Sequence, residues 1–195
     1  MIATPFLAHF ARRLAVTKRE PEPAEDEEPF EEAPIVLAGF GRVGHRIGEI
    51  LTQAGIPFVA LDSDVTIVEK ERAKGHPVYY GDALKPEIFK NACAYSTEAI
   101  IITLNDTEAT EELLVSLRKM FPDVAIFARG HNQDDCLKLR RLGATGVASE
   151  NFEASMELAR KALTSTGYNK KDMRAILVNF RKTYNAKIER QTRKE

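Results

Sequence analysis

This sequence has little of what several chemistries need. Two cysteines, Cys93 and Cys136, show no metal-type spacing, so they read as free thiols of a reduced compartment. Four histidines, His9, His45, His76 and His131, are scattered without an HxxxH pair or a carboxylate triad, and no metal site is expected from them. No apolar run reaches the ~20 residues that a membrane-spanning helix takes. Residues 1–16 are moderately apolar but lack the long core and cleavage site of a signal peptide. A formal net charge of −1 argues against a general nucleic-acid binder.

What is present is organised around Ile35–Gly48. An apolar, β-branched run, Ile35–Ala38, reads as a buried strand and turns at Gly39-x-Gly41-x-x-Gly44. Val43, Ile47, Ile50 and Leu51 follow at helical spacing. In such a motif the first glycine permits the tight turn, the second lets a pyrophosphate approach the backbone, and the third lets helix and strand pack closely. The helix start offers unpaired N–H groups and a positive dipole end to an anion. A second strand, Ile56–Leu61, ends in Asp62, close to the ~20-residue offset expected of a ribose-binding carboxylate. Strand, glycine turn, helix, strand and acid in that order point to a dinucleotide or adenine-nucleotide site.

The rest of the chain alternates in the same way. Helices are expected at 42–54, 64–74, 86–92, 107–120 and 132–142, and further strands at 77–80, 99–103, 124–127 and 145–148. Ala99–Thr103 is the most apolar run and reads as a central strand buried on both faces. The expected fold is a doubly wound parallel α/β sheet of six strands, ordered 3-2-1-4-5-6, of Rossmann type. Four segments follow: a membrane-flanking piece at 1–17, an acidic proline-rich linker at 18–34, the Rossmann domain at 35–150 and C-terminal helices at 151–195. The linker holds Pro21, Pro23, Pro29 and Pro34 among eight acids and cannot bury enough apolar surface to order itself. Helices at 152–165 and 171–190 carry apolar stripes that outlast a completed sheet, so a homodimer partner is expected to cover them, with Phe152, Met156, Leu163, Phe180 and Tyr184 as anchors.

Gly39–Gly44, Ile56–Asp62, Val78–Asp82 and Phe127–Arg129 together resemble the domain that regulates potassium conductance, the RCK or TrkA-N domain. The blocks GFGRVGHRIGEIL, IPFVALD, PVYYGDA and FPDVAIFARGH, with the LGATGV tail, are similar to the cytosolic C-terminal domain of Kef-type potassium/proton antiporters and their plastid relatives. The resemblance covers roughly 35–190. It implies a phosphate loop at Gly39, Phe40, Gly41, Arg42, Val43 and Gly44, a ribose acid at Asp62, and an acid near the adenine at Asp82, beside Ala83. It places Thr103–Asp106 against the other half of a dinucleotide. Asp82 also reads as a simple turn-capping aspartate. The implied ligand is NAD(H) or AMP, since Asp62 would repel a 2′-phosphate.

The implied partners are a transmembrane cation/proton antiporter domain and a second copy, pairing through helices after the sixth strand, at the cytoplasmic face of the membrane. The opening TPFL and the acidic linker look like the end of a transporter's last membrane helix. Two departures speak against gating by glutathione: Ile102 stands where glutathione-gated members have asparagine, and Lys85 where they have arginine. The other readings are a small NAD-dependent oxidoreductase and a free-standing subunit of a potassium uptake channel. No acid/base apparatus is visible for the first, and the linker speaks for tethering against the second.

Overall fold

The computed structural model describes residues 33–85, 87–92 and 97–192. The expected membrane-flanking segment and nearly all of the expected linker lie outside these residues, as do His9 and Cys93.

Six strands form one sheet: β1 (Ile35–Ala38), β2 (Phe58–Asp62), β3 (Val78–Tyr80), β4 (Ala99–Ile102), β5 (Ala125–Gly130) and β6 (Gly146–Ser149). The order is β3-β2-β1-β4-β5-β6 and every pairing is parallel, as expected. Between and after them run α1 (Arg42–Ala54), α2 (Val65–Arg72), α3 (Glu87–Ala92), α4 (Thr107–Met120), α5 (Gln133–Arg141), α6 (Glu150–Ser165) and α7 (Lys170–Thr192). No helix among the described residues is long and apolar enough to cross a membrane.

The period-2 alternation of the strands divides the core in two. Val36, Ala38, Ile100, Ile102 and Ile126 point to one face, where Phe89 of α3, Leu113, Leu114 and Leu117 of α4 and Leu139 of α5 cover them. Leu37, Ala60 and Val78 point to the other, under Leu51 of α1 and Val68 of α2. That second face is covered only over β1, β2 and β3. Ile101 of β4 is partly buried there and Phe127 of β5 is 41% exposed. The expectation that β4 is buried on both faces therefore fails at Ile101: five crossover helices leave one half of one face bare.

The C-terminal helices also differ from expectation. Gly167, at φ +73°, turns α6 back into α7, and the two helices pack on each other. Phe152 stacks on Tyr184 with ring centroids 3.9 Å apart, and Met156 and Met173 are buried. Ile188 reaches α5 beside Leu137 and Cys136, a buried thiol that burial pushes up to about 11. Phe152, Met156 and Tyr184, expected as anchors for a partner, are thus largely satisfied within the chain. Phe180 (60% exposed), Leu158 and Ile176 are not.

Candidate functional site

The turn after β1 is built by what glycine lacks. Gly39 adopts φ +94°, a region that L side chains rarely enter, and its N–H donates to Leu61 O at 2.8 Å. A Cβ on Gly44 would lie 2.2 Å from Gly39 O, so α1 approaches β1 as closely as the backbone allows. A Cβ on Gly41, by contrast, would meet nothing within 4 Å; that position opens onto free space.

Gly41 is the N-cap of α1, with no side chain bonded to the helix's first N–H groups and no acid in its first turn. Four other helices are capped by a side chain. Asp64, Asp106, Asn132 and Ser149 each accept from the first turn of α2, α4, α5 and α6. The first four N–H groups of any helix have no partner within it. At α1 they keep the positive dipole end open toward the cleft.

That cleft, about 450 Å³, runs between the glycine turn, Asp62, the β4 end and β5. Arg42 and Arg46 line it from one side of α1. Asp62 sits at the end of β2; its Oδ2 accepts from Phe40 N at 2.6 Å and its Oδ1 from Asp64 N at 2.9 Å. The carboxylate thus ties the glycine turn to β2. An ionised carboxylate has about four acceptor positions, so room for a hydroxyl donor remains. Thr103 is buried at the cleft floor, its hydroxyl donating to Gly39 O at 2.8 Å.

The other expected residues sit differently. The Phe40 ring is buried away from the cleft, stacked at 6.0 Å on Phe58, so only its main chain lies in the turn. Asp82 and Ala83 do not line the cleft. Asp82 Oδ1 accepts from Leu84 N at 2.9 Å, a turn cap, and Ala83 is buried in the core.

Four lining residues escaped the sequence reading: Arg46, Ile67, Arg129 and Glu150. Arg129, 13% exposed in its side chain, pairs with Glu150 at 2.8 Å and donates to Asn105 Oδ1 at 3.1 Å and to Thr103 O. Burial pushes the Glu150 carboxyl up, but the charges and hydrogen bonds of Arg129 and His131 outweigh it and hold the group below the usual carboxylate range. Arg46 was legible one helical turn after Arg42. Arg129 stood within a quoted block, but nothing local says that β5 delivers it to the mouth of β4.

Residues 35–150 match the TrkA-N domain family, and the chain belongs to it. Among curated relatives, the glutathione-regulated potassium-efflux system protein KefC of Escherichia coli O139:H28 (strain E24377A / ETEC) is 33% identical over 167 residues. That alignment takes in 86% of this chain but 27% of KefC, so the chain spans about a quarter of the length of that relative. A Kef C-terminal domain of Shewanella denitrificans, solved in AMP-bound form, shares the fold at 24% identity and TM-score 0.70, over 81% of this chain and 96% of that one. GsuK bound to ADP is 28% identical with TM-score 0.53, over 59% of this chain and 30% of that one.

Proposed function

We propose that the chain is a nucleotide-sensing regulatory domain of a potassium/proton antiporter, held at the cytoplasmic face of the membrane and binding AMP or NAD(H). One observation carries the reading: an uncapped helix N-terminus, opened by Gly41, faces a cleft that also holds Arg42, Arg46 and the Asp62 carboxylate. Dipole end and arginines suit phosphate; the carboxylate suits a ribose hydroxyl and repels a 2′-phosphate. KefC and the ADP-bound GsuK support an adenine nucleotide and a potassium-transport context. Among the described residues that line the cleft there is no histidine, lysine, tyrosine or cysteine, which favours binding over hydride transfer. Nucleotide occupancy would act by stabilising one arrangement of the domain relative to another, and the transporter would respond by that difference in free energy.

Calorimetric titration of the full chain tests this. AMP or NADH is expected to bind one per chain, and NADP more weakly than NAD. Asp62→Asn keeps an oxygen for the Phe40 N–H but removes the charge. It is expected to weaken AMP or NADH by ~1–2 kcal/mol, the scale of one hydrogen bond to a charged group, and to narrow the NAD-over-NADP preference. Absence of saturable binding, or turnover of small carbonyl compounds that depends on a cleft side chain, would overturn the reading.

The domain is also proposed to act as a homodimer, by a different surface from that expected. Val43 and Ile47 of α1 and Ile101, Phe127 and Val147 of the bare half-sheet line an apolar cleft of about 490 Å³, with Ile50 of α1 63% exposed. Burying each large side chain is worth ~1.5–3 kcal/mol, and two-fold symmetry lets one surface serve both chains. Light scattering is expected to give twice the 21.8 kDa chain mass. Phe127→Glu is expected to halve it with little loss of folding, because the ring is already half in water. A monomer at micromolar concentration in the unmutated protein would remove this part of the reading.

A further inference from the structure

Outside the residues that line the cleft, three residues from separate parts of the chain bring donor atoms together. His45 of α1, Glu71 of α2 and His76 before β3 each offer one ligand atom, all within 4.8 Å of one another. His45 Nδ1 lies 3.1 Å from Glu71 Oε2, and His76 Nε2 lies 3.9 Å from the same oxygen. Glu71 is only 5% exposed.

Two features set this group apart from an ordinary ion pair. His45 Nδ1 and Glu71 Oε2 are both shut off from solvent, yet neither makes a hydrogen bond despite their proximity. An imidazolium aimed at a carboxylate would bond to it; two lone pairs converging on one point would not. Lys74 already serves the other oxygen, Oε1, at 2.7 Å, which leaves Oε2 as the atom without a partner.

We propose that His45, Glu71 and His76 form a site for a divalent transition metal, with zinc the best match. Two imidazoles and one carboxylate are a common zinc set, with a fourth position left for water or another ligand. Bonds of ~2.0–2.1 Å in a tetrahedron separate donor atoms by about 3.3 Å, so the His45–Glu71 spacing of 3.1 Å already fits, while His76 Nε2, 3.9 Å from Glu71 Oε2, must move inward to complete the set. The surroundings suit the purpose. The Phe40 ring walls both imidazoles, with centroids 5.8 Å from His45 and 5.7 Å from His76. The second His45 nitrogen, Nε2, faces Glu49 Oε1 at 3.5 Å, the carboxylate that commonly orients a ligand histidine from behind. A bound ion would clamp α1 to α2 and to the entry of β3. Reading the sequence alone gave no metal site, because these positions have no mutual spacing until the sheet is formed.

The test uses the full chain, stripped with chelator and titrated with zinc sulfate, then with cobalt chloride. One zinc per chain is expected, with a raised unfolding temperature. Cobalt is expected to give visible ligand-field bands of four-coordination without a thiolate charge-transfer band. In the unmutated protein, zinc is expected to shift the imidazole NMR signals of His45 and His76 out of the four histidines. His45→Gln with His76→Gln is expected to lose more affinity than the ~10–100-fold that removing a supporting residue costs. No saturable binding, shifts confined to the other histidines, or unchanged affinity in the double variant would each overturn the proposal and leave a buried ion pair.

Discussion

Gly41→Val is expected to abolish nucleotide binding while the domain still folds. The backbone there is extended, at φ −66° and ψ −159°, with none of the positive φ that only glycine readily adopts, and a Cβ meets no protein atom within 4 Å. The free space is the cleft itself, so the added methyls would stand where a phosphate must reach the first N–H groups of α1. Hydrogen bonds to a charged group are worth ~1.5–3 kcal/mol each, so losing two costs roughly 3–6 kcal/mol. At 1.4 kcal/mol per tenfold, that is more than 100-fold in affinity. Valine is a poorer N-cap than glycine, and the stability loss should stay near ~1 kcal/mol. Calorimetry for affinity and thermal unfolding for stability separate the two effects. Unchanged affinity would remove the phosphate loop from this turn.

Gly44→Ala, three residues on, is expected to do the opposite and damage the fold. Its Cβ would lie 2.2 Å from Gly39 O, 3.1 Å from Gly39 C and 3.0 Å from Thr103 Oγ1. The nearest, Gly39 O, is a backbone atom, which cannot rotate aside. α1 would have to lift from β1, and the loss should reach about 3 kcal/mol or more, the upper end of overpacking. That is a large share of a typical 5–15 kcal/mol stability. Urea unfolding measures it. A variant within 1 kcal/mol of the parent would show that α1 can shift freely, contrary to the close packing assigned to Gly44.

These two glycines show why the site was half legible in the sequence. Spacing alone placed the turn, because the turn, the helix start and the strand before it are contiguous and their requirements are local. Asp62 was legible for a related reason: one crossover of ordinary length returns β2 beside β1, as the Ile35–Phe58 register shows. Asp82 carried two readings in the sequence, because an aspartate after a strand serves as a turn cap as readily as a ligand contact, and the structure shows its Oδ1 accepting from Leu84 N as a cap does. Arg129 and Glu150 met Asn105 only because parallel pairing of β4, β5 and β6 aligns the three strand ends.

By itself, the sequence determined the six strands, their 3-2-1-4-5-6 order and the place of the glycine turn. Hydrophobic period and right-handed crossovers leave few other arrangements for such a pattern. Tertiary structure alone decided which surfaces stayed bare. A stripe such as Phe152, Met156 and Tyr184 reads the same whether its cover comes from a second chain or from the returning α7. Phe127 reads as core, yet it stands on the half of the sheet that α1 and α2 do not reach. His45, Glu71 and His76 become neighbours only when α1 and α2 lie side by side over β1 to β3. Periodicity reports which residues avoid water, not what they meet; that depends on contacts between segments distant in the chain.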